Sequence, residues 1–134
     1  MAALISMQRI FFILAKHLTK GNTAPDFEFD TPWESGQTLY ETIGHKTAVL
    51  VFLRYHGCPI CQMEMAHLKR AIGLFRHQNA EVFAFLQSEP STMRSLAQEE
   101  DWPFNIVCDP NGLIFKLYGD VPAPQVLASH LTPN

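Results

Sequence analysis

The chain has 134 residues, a formal net charge of −3, 47% hydrophobic and 17% charged residues. This length fits a single domain that can form a core without disulfides or metal. The absence of a basic stripe argues against nucleic-acid binding, and no apolar run reaches the ~20 residues of a membrane-spanning helix. Three cysteines, an odd number, exclude a fully paired disulfide scaffold.

The N-terminal segment differs from the rest of the chain. The apolar run Ile10–Ala15 follows Arg9 and precedes Lys16. The run is short, the extreme N-terminus lacks positive charge, and no clear cleavage site follows, so we expect a helical extension rather than an export signal. The expected compartment is therefore the cytosol. The predicted organisation is an extension over 1–20, a domain over 21–121 and an irregular tail over 122–134.

The first half of the domain predicts short elements before one long helix. The alternation of Phe27-Glu28-Phe29 predicts a strand, and residues 39–43 predict a single helical turn. The unbroken apolar run 48–53 is typical of a strand covered on both faces. After Cys58, an apolar stripe with helical spacing is formed by Cys61, Met65, Leu68, Ile72 and Phe75. Pro59 suits the first turn of that helix, because its missing N–H costs nothing there.

The second half alternates strands and helices. Residues 82–86 and 104–107 predict buried strands, a helix starts at Glu89-Pro90-Ser91, and 113–118 predicts a short final helix. Asp26 and Asp109 are expected to serve as turn and cap residues. This alternation predicts an α/β fold with a mainly parallel sheet and right-handed crossovers.

Two cysteines lie where the first buried strand leads into the long helix. Cys58 and Cys61 are separated by two residues, so their thiols face each other across one helical turn and can form a small disulfide ring. The free N–H groups of the helix start favour a thiolate at Cys58, the expected attacking sulfur. Cys61, on the apolar stripe, is expected to be the resolving thiol. Arg54 and His56 are expected to add positive potential nearby.

Two other interpretations of this cysteine pair stay open. A structural zinc site needs four ligands, and the pair could be completed by convergence of His56, His67 or Cys108. Buried cysteines are also common as inert core residues. We expect redox chemistry, with no metal and no organic cofactor, because the motif, the strand before it and the helix after it agree.

Several motifs in the same order resemble a known family. The chain is similar to the peroxiredoxin-like branch of the alkyl hydroperoxide reductase/thiol-specific antioxidant (AhpC/TSA, redoxin) group over roughly residues 21–123. The motifs that carry the resemblance are Ala24-Pro25-Asp26-Phe27, Arg54-Tyr55-His56-Gly57-Cys58-Pro59-Ile60-Cys61, Cys108-Asp109-Pro110 and Lys116-Leu117-Tyr118-Gly119. The resemblance implies a three-layer thioredoxin-like fold and a thiol oxidoreductase. Cys58 takes the place of the peroxidatic cysteine, and Cys61 that of a nearby resolving partner.

The chain also departs from the family pattern. Typical peroxiredoxins carry Pro seven residues before the peroxidatic cysteine and Thr or Ser three before it, where this chain has Val51 and Tyr55. The CxxC arrangement resembles thioredoxin, which exchanges disulfides. The expected substrate is therefore a peroxide or a protein disulfide, with electrons from a cellular thiol donor. The alternative is a non-catalytic subunit or fragment with the same fold.

Two further expectations follow from the family's strand order. Its C-terminal hairpin and helix have no counterpart among the predicted elements, so the edge of strand 48–53 would be open. The N-terminal extension or a second copy would have to cover this edge, or the chain would be poorly stable; we expect self-association or aggregation. Cys108 would lie two strands from Cys58, roughly 9–10 Å away at ~4.8 Å per strand. That separation exceeds the ~7 Å limit for a disulfide, so Cys108 is expected to be structural.

Overall fold

The computed structural model describes residues 20–97 and 101–119. Every predicted element within these ranges is present, with bounds shifted by two residues at most. One short strand, β2, was not predicted from the sequence. In chain order, the elements are β1 (Glu28–Phe29), β2 (Gln37–Thr38), α1 (Leu39–Ile43), β3 (Thr47–Phe52), α2 (Pro59–His77), β4 (Ala80–Leu86), α3 (Pro90–Ala97), β5 (Asn105–Cys108) and α4 (Leu113–Leu117). The predicted extension, apart from its last residue, and the predicted tail beyond Gly119 lie outside the described residues.

The main sheet is parallel, as predicted, with the order β3-β4-β5. Strand β4 is central and pairs with both neighbours. β1 and β2 form a separate antiparallel hairpin, with Phe29 opposite Gln37. An isolated antiparallel bridge between Asp30 and Cys108 connects this hairpin to β5. Strand β2 escaped prediction because two polar residues carry no periodicity.

Side chains of β4 alternate between two cores, one on each face of the sheet. Val82, Ala84 and Leu86 pack into the first core with residues of α2 and α3. Phe83 and Phe85 pack into the second core with residues of β1, α1 and α4. The molecule therefore has three layers, with the sheet in the middle, which confirms the predicted thioredoxin-like architecture.

Strand β3 lies at an edge of the described sheet. The N–H groups of Thr47 and Leu53 donate towards β4, to Asn79 and Phe85, so the N–H and C=O groups of the even-numbered residues point away from β4. No strand of residues 20–97 or 101–119 pairs with that side. Both faces of β3 are packed, as predicted: Val49 and Val51 contact the first core, and Leu50 and Phe52 contact the second. Its burial is nevertheless incomplete, because only Ala48 is buried and the other five residues are half-buried.

The Ala24-Pro25-Asp26-Phe27 motif holds the second core together. The hydroxyl groups of Tyr40 and Tyr118 donate to the carbonyls of Ala24 and Pro25, at 2.6 and 2.5 Å. The Asp26 carboxylate accepts from the N–H of Tyr40 at 3.0 Å, near the start of α1. This hydrogen bond caps α1, which confirms the capping role predicted for Asp26. The motif therefore joins the beginning of the domain to α1 and to the end of α4.

Asp109 caps α4, as predicted. Its carboxylate is buried and accepts hydrogen bonds from the main-chain N–H groups of Leu113, Ile114 and Phe115, at 3.0, 2.9 and 3.1 Å. These are N–H groups that a helix start leaves without an internal partner. The cap therefore fixes α4 against the carboxyl end of β5.

We expect Asp109→Ala to lower the free energy of unfolding by about 2 kcal/mol, because the variant leaves buried helix N–H groups unpaired. Urea unfolding followed by circular dichroism measures this change. Asp101→Ala, which removes an exposed carboxylate, serves as the matched control and should stay within about 0.5 kcal/mol of the parent protein. Equal effects of the two substitutions would contradict the capping role.

Candidate active site

The CxxC motif lies at the carboxyl edge of the sheet, where ligand sites form in open α/β folds. After β3, residues 53–57 lead into Cys58, which is the N-cap of α2 with extended backbone angles. The N–H of Cys58 donates to the carbonyl of Tyr55 at 3.2 Å and closes a tight turn. Pro59 occupies the first helical position, as predicted. The turn and the proline together place the Cys58 side chain beside the first free N–H groups of α2.

Both cysteines of the motif are free thiols and are buried, with exposed fractions of 6% for Cys58 and 3% for Cys61. They belong to the first core, together with Met65 of α2. The sulfur of Cys61 accepts a hydrogen bond from the main-chain N–H of Arg54 at 3.1 Å. The Cys61 side chain is thus attached to the segment that follows β3.

The pKa of Cys58 is lowered. Burial raises this pKa, but hydrogen bonding from the main-chain N–H and the thiol of Cys61, from the N–H of Ile60, and the charge of Arg54 together outweigh burial. Cys58 makes no side-chain capping bond of conventional geometry, so the N–H groups act at less than ideal alignment. The net effect favours a thiolate at the start of α2.

The pKa of Cys61 is raised. Burial is the largest cause, and the hydrogen bond and negative charge of Cys58 add to it, while the N–H groups of Arg54 and Tyr55 act in the opposite direction. The two neighbouring thiols therefore differ in the sign of their pKa shifts. At any given pH, the thiolate form is therefore more favoured at Cys58 than at Cys61.

Of the residues predicted to support the cysteine pair, Arg54 and His56 form hydrogen bonds through their main-chain N–H groups. Arg54 adds positive charge near Cys58, but its main-chain N–H bonds to Cys61. The ring of Tyr55 lies next to Gly57, where an added Cβ would be 3.6 Å from it. His56 contacts Ser88 rather than a cysteine: its N–H and its Nδ1 lie 3.1 and 3.3 Å from the Ser88 hydroxyl. Sequence reasoning missed Ser88, because a serine after a strand carries no distinctive signal.

The third cysteine lies on a different strand, although it shares the first core with Cys58 and Cys61. Cys108 ends β5, two strands from β3, as predicted from the family's strand order. Burial raises the pKa of Cys108 to about 12, and the negative charge of Asp30 adds to this effect. Within residues 20–97 and 101–119, no three His, Cys, Asp or Glu side chains converge as a metal site. These ranges therefore do not bring together the four ligands that a structural zinc site would need.

Apolar side chains flank the cysteines on the outer face of α2. Ile60 and Met63 are 67% and 54% exposed, and their spacing places them on one face of the helix. Trp33, another exposed apolar side chain, lies elsewhere. It lines a cavity of about 330 Å³ with Trp102 and residues of β5, and neither Cys58 nor Cys61 lines that cavity. No helix of residues 20–97 or 101–119 is long and apolar enough to cross a bilayer.

The fold and the CxxC motif occur in a chain that matches a known protein family over most of its length. The sequence model of the AhpC/TSA family matches residues 20–130. The chain belongs to the AhpC/TSA family. A curated relative, the thiol-disulfide oxidoreductase ResA of Halalkalibacterium halodurans, is 31% identical over 80 residues, which cover 58% of this chain and 46% of the relative. The match therefore spans about half the length of that relative.

Solved structures of other proteins have a similar fold. The peroxidoxin BcpB of Mycobacterium tuberculosis superposes with a TM-score of 0.71 at 19% identity, over 77% of this chain and 67% of that chain. A putative thiol:disulfide interchange protein DsbE of Chlorobium tepidum gives a TM-score of 0.65 at 21% identity, over 76% and 71% of the two chains. The thioredoxin-like fold of this AhpC/TSA member is thus shared with peroxiredoxins and with disulfide-exchange proteins.

We expect Cys58 to react with iodoacetamide faster than Cys61 at every pH from 6 to 9, because only the thiolate is nucleophilic. The Cys58 rate should rise through a midpoint below the ~8.5 of an ordinary cysteine, and the Cys61 rate through a midpoint above it. Tandem mass spectrometry of the peptide that carries both cysteines, taken from the parent protein, separates the two rates. Earlier alkylation of Cys61, or a Cys58 midpoint above 8.5, would contradict the arrangement.

Proposed function

We propose that the chain is a thiol oxidoreductase in which Cys58 and Cys61 cycle between dithiol and disulfide. The observation that carries this proposal is the opposite direction of the two pKa shifts in adjacent, hydrogen-bonded thiols at a helix N-terminus. An ionised sulfur supplies the nucleophile, and the protonated sulfur waits to resolve the intermediate. The disulfide itself is the redox group, so the cycle requires no metal or organic cofactor.

In the first step, the Cys58 thiolate attacks one sulfur of a substrate disulfide. A mixed disulfide forms, and the other substrate sulfur leaves as a thiolate that takes up a proton. Cys61 then loses its proton, attacks the Cys58 sulfur and releases the second substrate thiol. The products are two substrate thiols and a Cys58–Cys61 disulfide, a transfer of two electrons. Two thiols of a cellular donor reverse the oxidation of the pair.

The contacts of Cys61 favour an order in which Cys58 reacts first and Cys61 second. In the reduced pair, the negative charge and the hydrogen bond of Cys58 hold the Cys61 pKa up. Formation of the mixed disulfide removes that charge, whereas the N–H groups of Arg54 and Tyr55 still face the Cys61 sulfur. Deprotonation of Cys61 therefore becomes easier only after Cys58 has reacted.

The surface around the pair favours a protein disulfide as substrate. Ile60 and Met63 present exposed apolar groups beside a buried nucleophile, and such groups can bind an apolar segment that carries a disulfide. Peroxide is the second candidate, supported by the charge of Arg54 near Cys58 and by the peroxiredoxins of similar fold. In that case Cys58 attacks the peroxide, forms a sulfenic acid and releases an alcohol or water, and Cys61 then closes the disulfide and releases water.

We expect peroxide or a disulfide reagent to remove two alkylatable thiols, those of Cys58 and Cys61, and dithiothreitol to restore both. Mass spectrometry after alkylation measures this change. If both thiols stay alkylatable after oxidation, or if only Cys108 changes, the chain is a non-catalytic member of the fold and the proposal is wrong.

The same preparation distinguishes the substrates through insulin reduction and peroxide consumption. For a protein disulfide, Ile60→Ser should lower the rate of insulin reduction about threefold or more, because it removes apolar contact with substrate. Leu74→Ser changes an equally exposed side chain of α2 far from the cysteines and should leave the rate unchanged. Faster consumption of peroxide than of insulin, with no effect of Ile60→Ser, would assign the peroxide instead.

We also propose that copies of the chain associate through the outer edge of β3. The edge carries an uncharged six-residue strand, and no strand of the described residues covers it. Such edges pair with other chains unless charge, proline or a bulge prevents it. As the compartment of the protein we propose the reducing cytosol, because thiol donors there can reduce a Cys58–Cys61 disulfide.

We expect sedimentation velocity to give a larger average mass as the protein concentration rises, because pairing of two β3 edges satisfies main-chain groups of both copies. Loading concentrations that span two orders of magnitude provide the comparison. A single monomeric species at every concentration would show that the edge is not used in this way.

A further inference from the structure

A buried hydroxyl outside the CxxC motif contacts the loop that carries it. Ser88 lies two residues beyond β4, at the same edge of the sheet as the cysteines, and is 7% exposed. Its Oγ accepts a hydrogen bond from the main-chain N–H of His56 at 3.1 Å and lies 3.3 Å from Nδ1 of the same residue. A hydroxyl can accept one bond and donate another, so Ser88 holds both the backbone and the ring of His56.

The other main-chain group of the same residue is held from α2. The side-chain amide of Gln62 donates to the carbonyl of His56 at 2.9 Å. Both main-chain groups of His56 are therefore bonded, one to the end of β4 and one to the first turn of α2. His56 lies inside the turn that the N–H of Cys58 closes on the carbonyl of Tyr55. The segment immediately before the candidate nucleophile is thus fixed at both ends.

We propose that Ser88 is a positioning residue for Cys58. Ser88 acts through the N–H of His56, and Gln62 holds the carbonyl of the same residue. The bonds to His56 fix the turn from Tyr55 to Cys58 and so hold the Cys58 sulfur beside the N–H groups at the start of α2. Stabilisation by those N–H groups depends on distance and alignment, and Cys58 lacks a conventional capping bond that would secure its orientation independently. This inference rests on the proposed role of Cys58 as nucleophile.

Ser88→Ala removes the acceptor for the His56 N–H and leaves the fold's other contacts in place. The expected result is about a fivefold slower alkylation of Cys58 at pH 7, the size of one neutral hydrogen bond. The midpoint of the rate against pH should shift upward by about half a unit or more. A residue that only stabilises the fold would lower the unfolding midpoint without a shift of this pH profile.

Three further variants make the test specific. Ser88→Thr keeps the hydroxyl and should restore the pH profile of the parent protein. Gln62→Met removes the amide donor from an exposed position and should shift the midpoint upward, as Ser88→Ala does. This second variant keeps the test available if Ser88→Ala does not fold. Ser95→Ala removes another serine hydroxyl, exposed on α3, and should change nothing.

An unchanged Cys58 profile in Ser88→Ala or, where that variant does not fold, in Gln62→Met would overturn the inference. Equal shifts in Ser88→Ala and Ser95→Ala would overturn it as well. The outcome is independent of the cycle itself. If the parent pair fails to form a reversible disulfide, the proposed function is wrong, whereas a profile that shifts in Ser88→Ala and returns in Ser88→Thr still supports the positioning of Cys58.

Discussion

The arrangement of the site depends on the short distance between the end of a strand and the start of a helix. Five residues separate Phe52, the last residue of β3, from Cys58, the N-cap of α2. Within that interval the N–H of Arg54 bonds to Cys61, and the carbonyl of Tyr55 accepts from Cys58. One stretch of backbone therefore contacts both cysteines and aligns α2 with the sheet. With a longer connection, the residues that contact the cysteines would no longer be the ones that align α2 with the sheet.

Burial and hydrogen bonding act against each other at the two thiols. Both side chains lie in the first core, and burial alone would keep both protonated. Main-chain N–H groups reach each sulfur, but at Cys58 they act together with the charge of Arg54, and at Cys61 they are outweighed. A displacement of one helical turn is enough to produce two thiols of different acidity within the same core.

The sequence predicted the fold well where patterns were long. The apolar stripe from Cys61 to Phe75 predicted α2, and the apolar run 82–86 predicted the central strand, because both patterns extend over several residues. The same reasoning overestimated the burial of β3, since an unbroken apolar run does not reveal whether a strand is central or at an edge. For the site, the motif gave both cysteines and Pro59. It could not give Ser88 or Gln62, because their contacts join residues far apart in sequence or use the backbone of His56.

The N–H groups around Cys58 have a consequence for the energetics of the oxidised pair. They stabilise the thiolate, which exists only in the reduced form, and a disulfide sulfur gains much less from them. Stabilisation of the reduced form raises the reduction potential of a dithiol pair. In the proposed cycle, the contacts that favour attack by Cys58 therefore also make the resulting disulfide easier for a thiol donor to reduce. They also lower the free energy available to drive the reduction of a substrate.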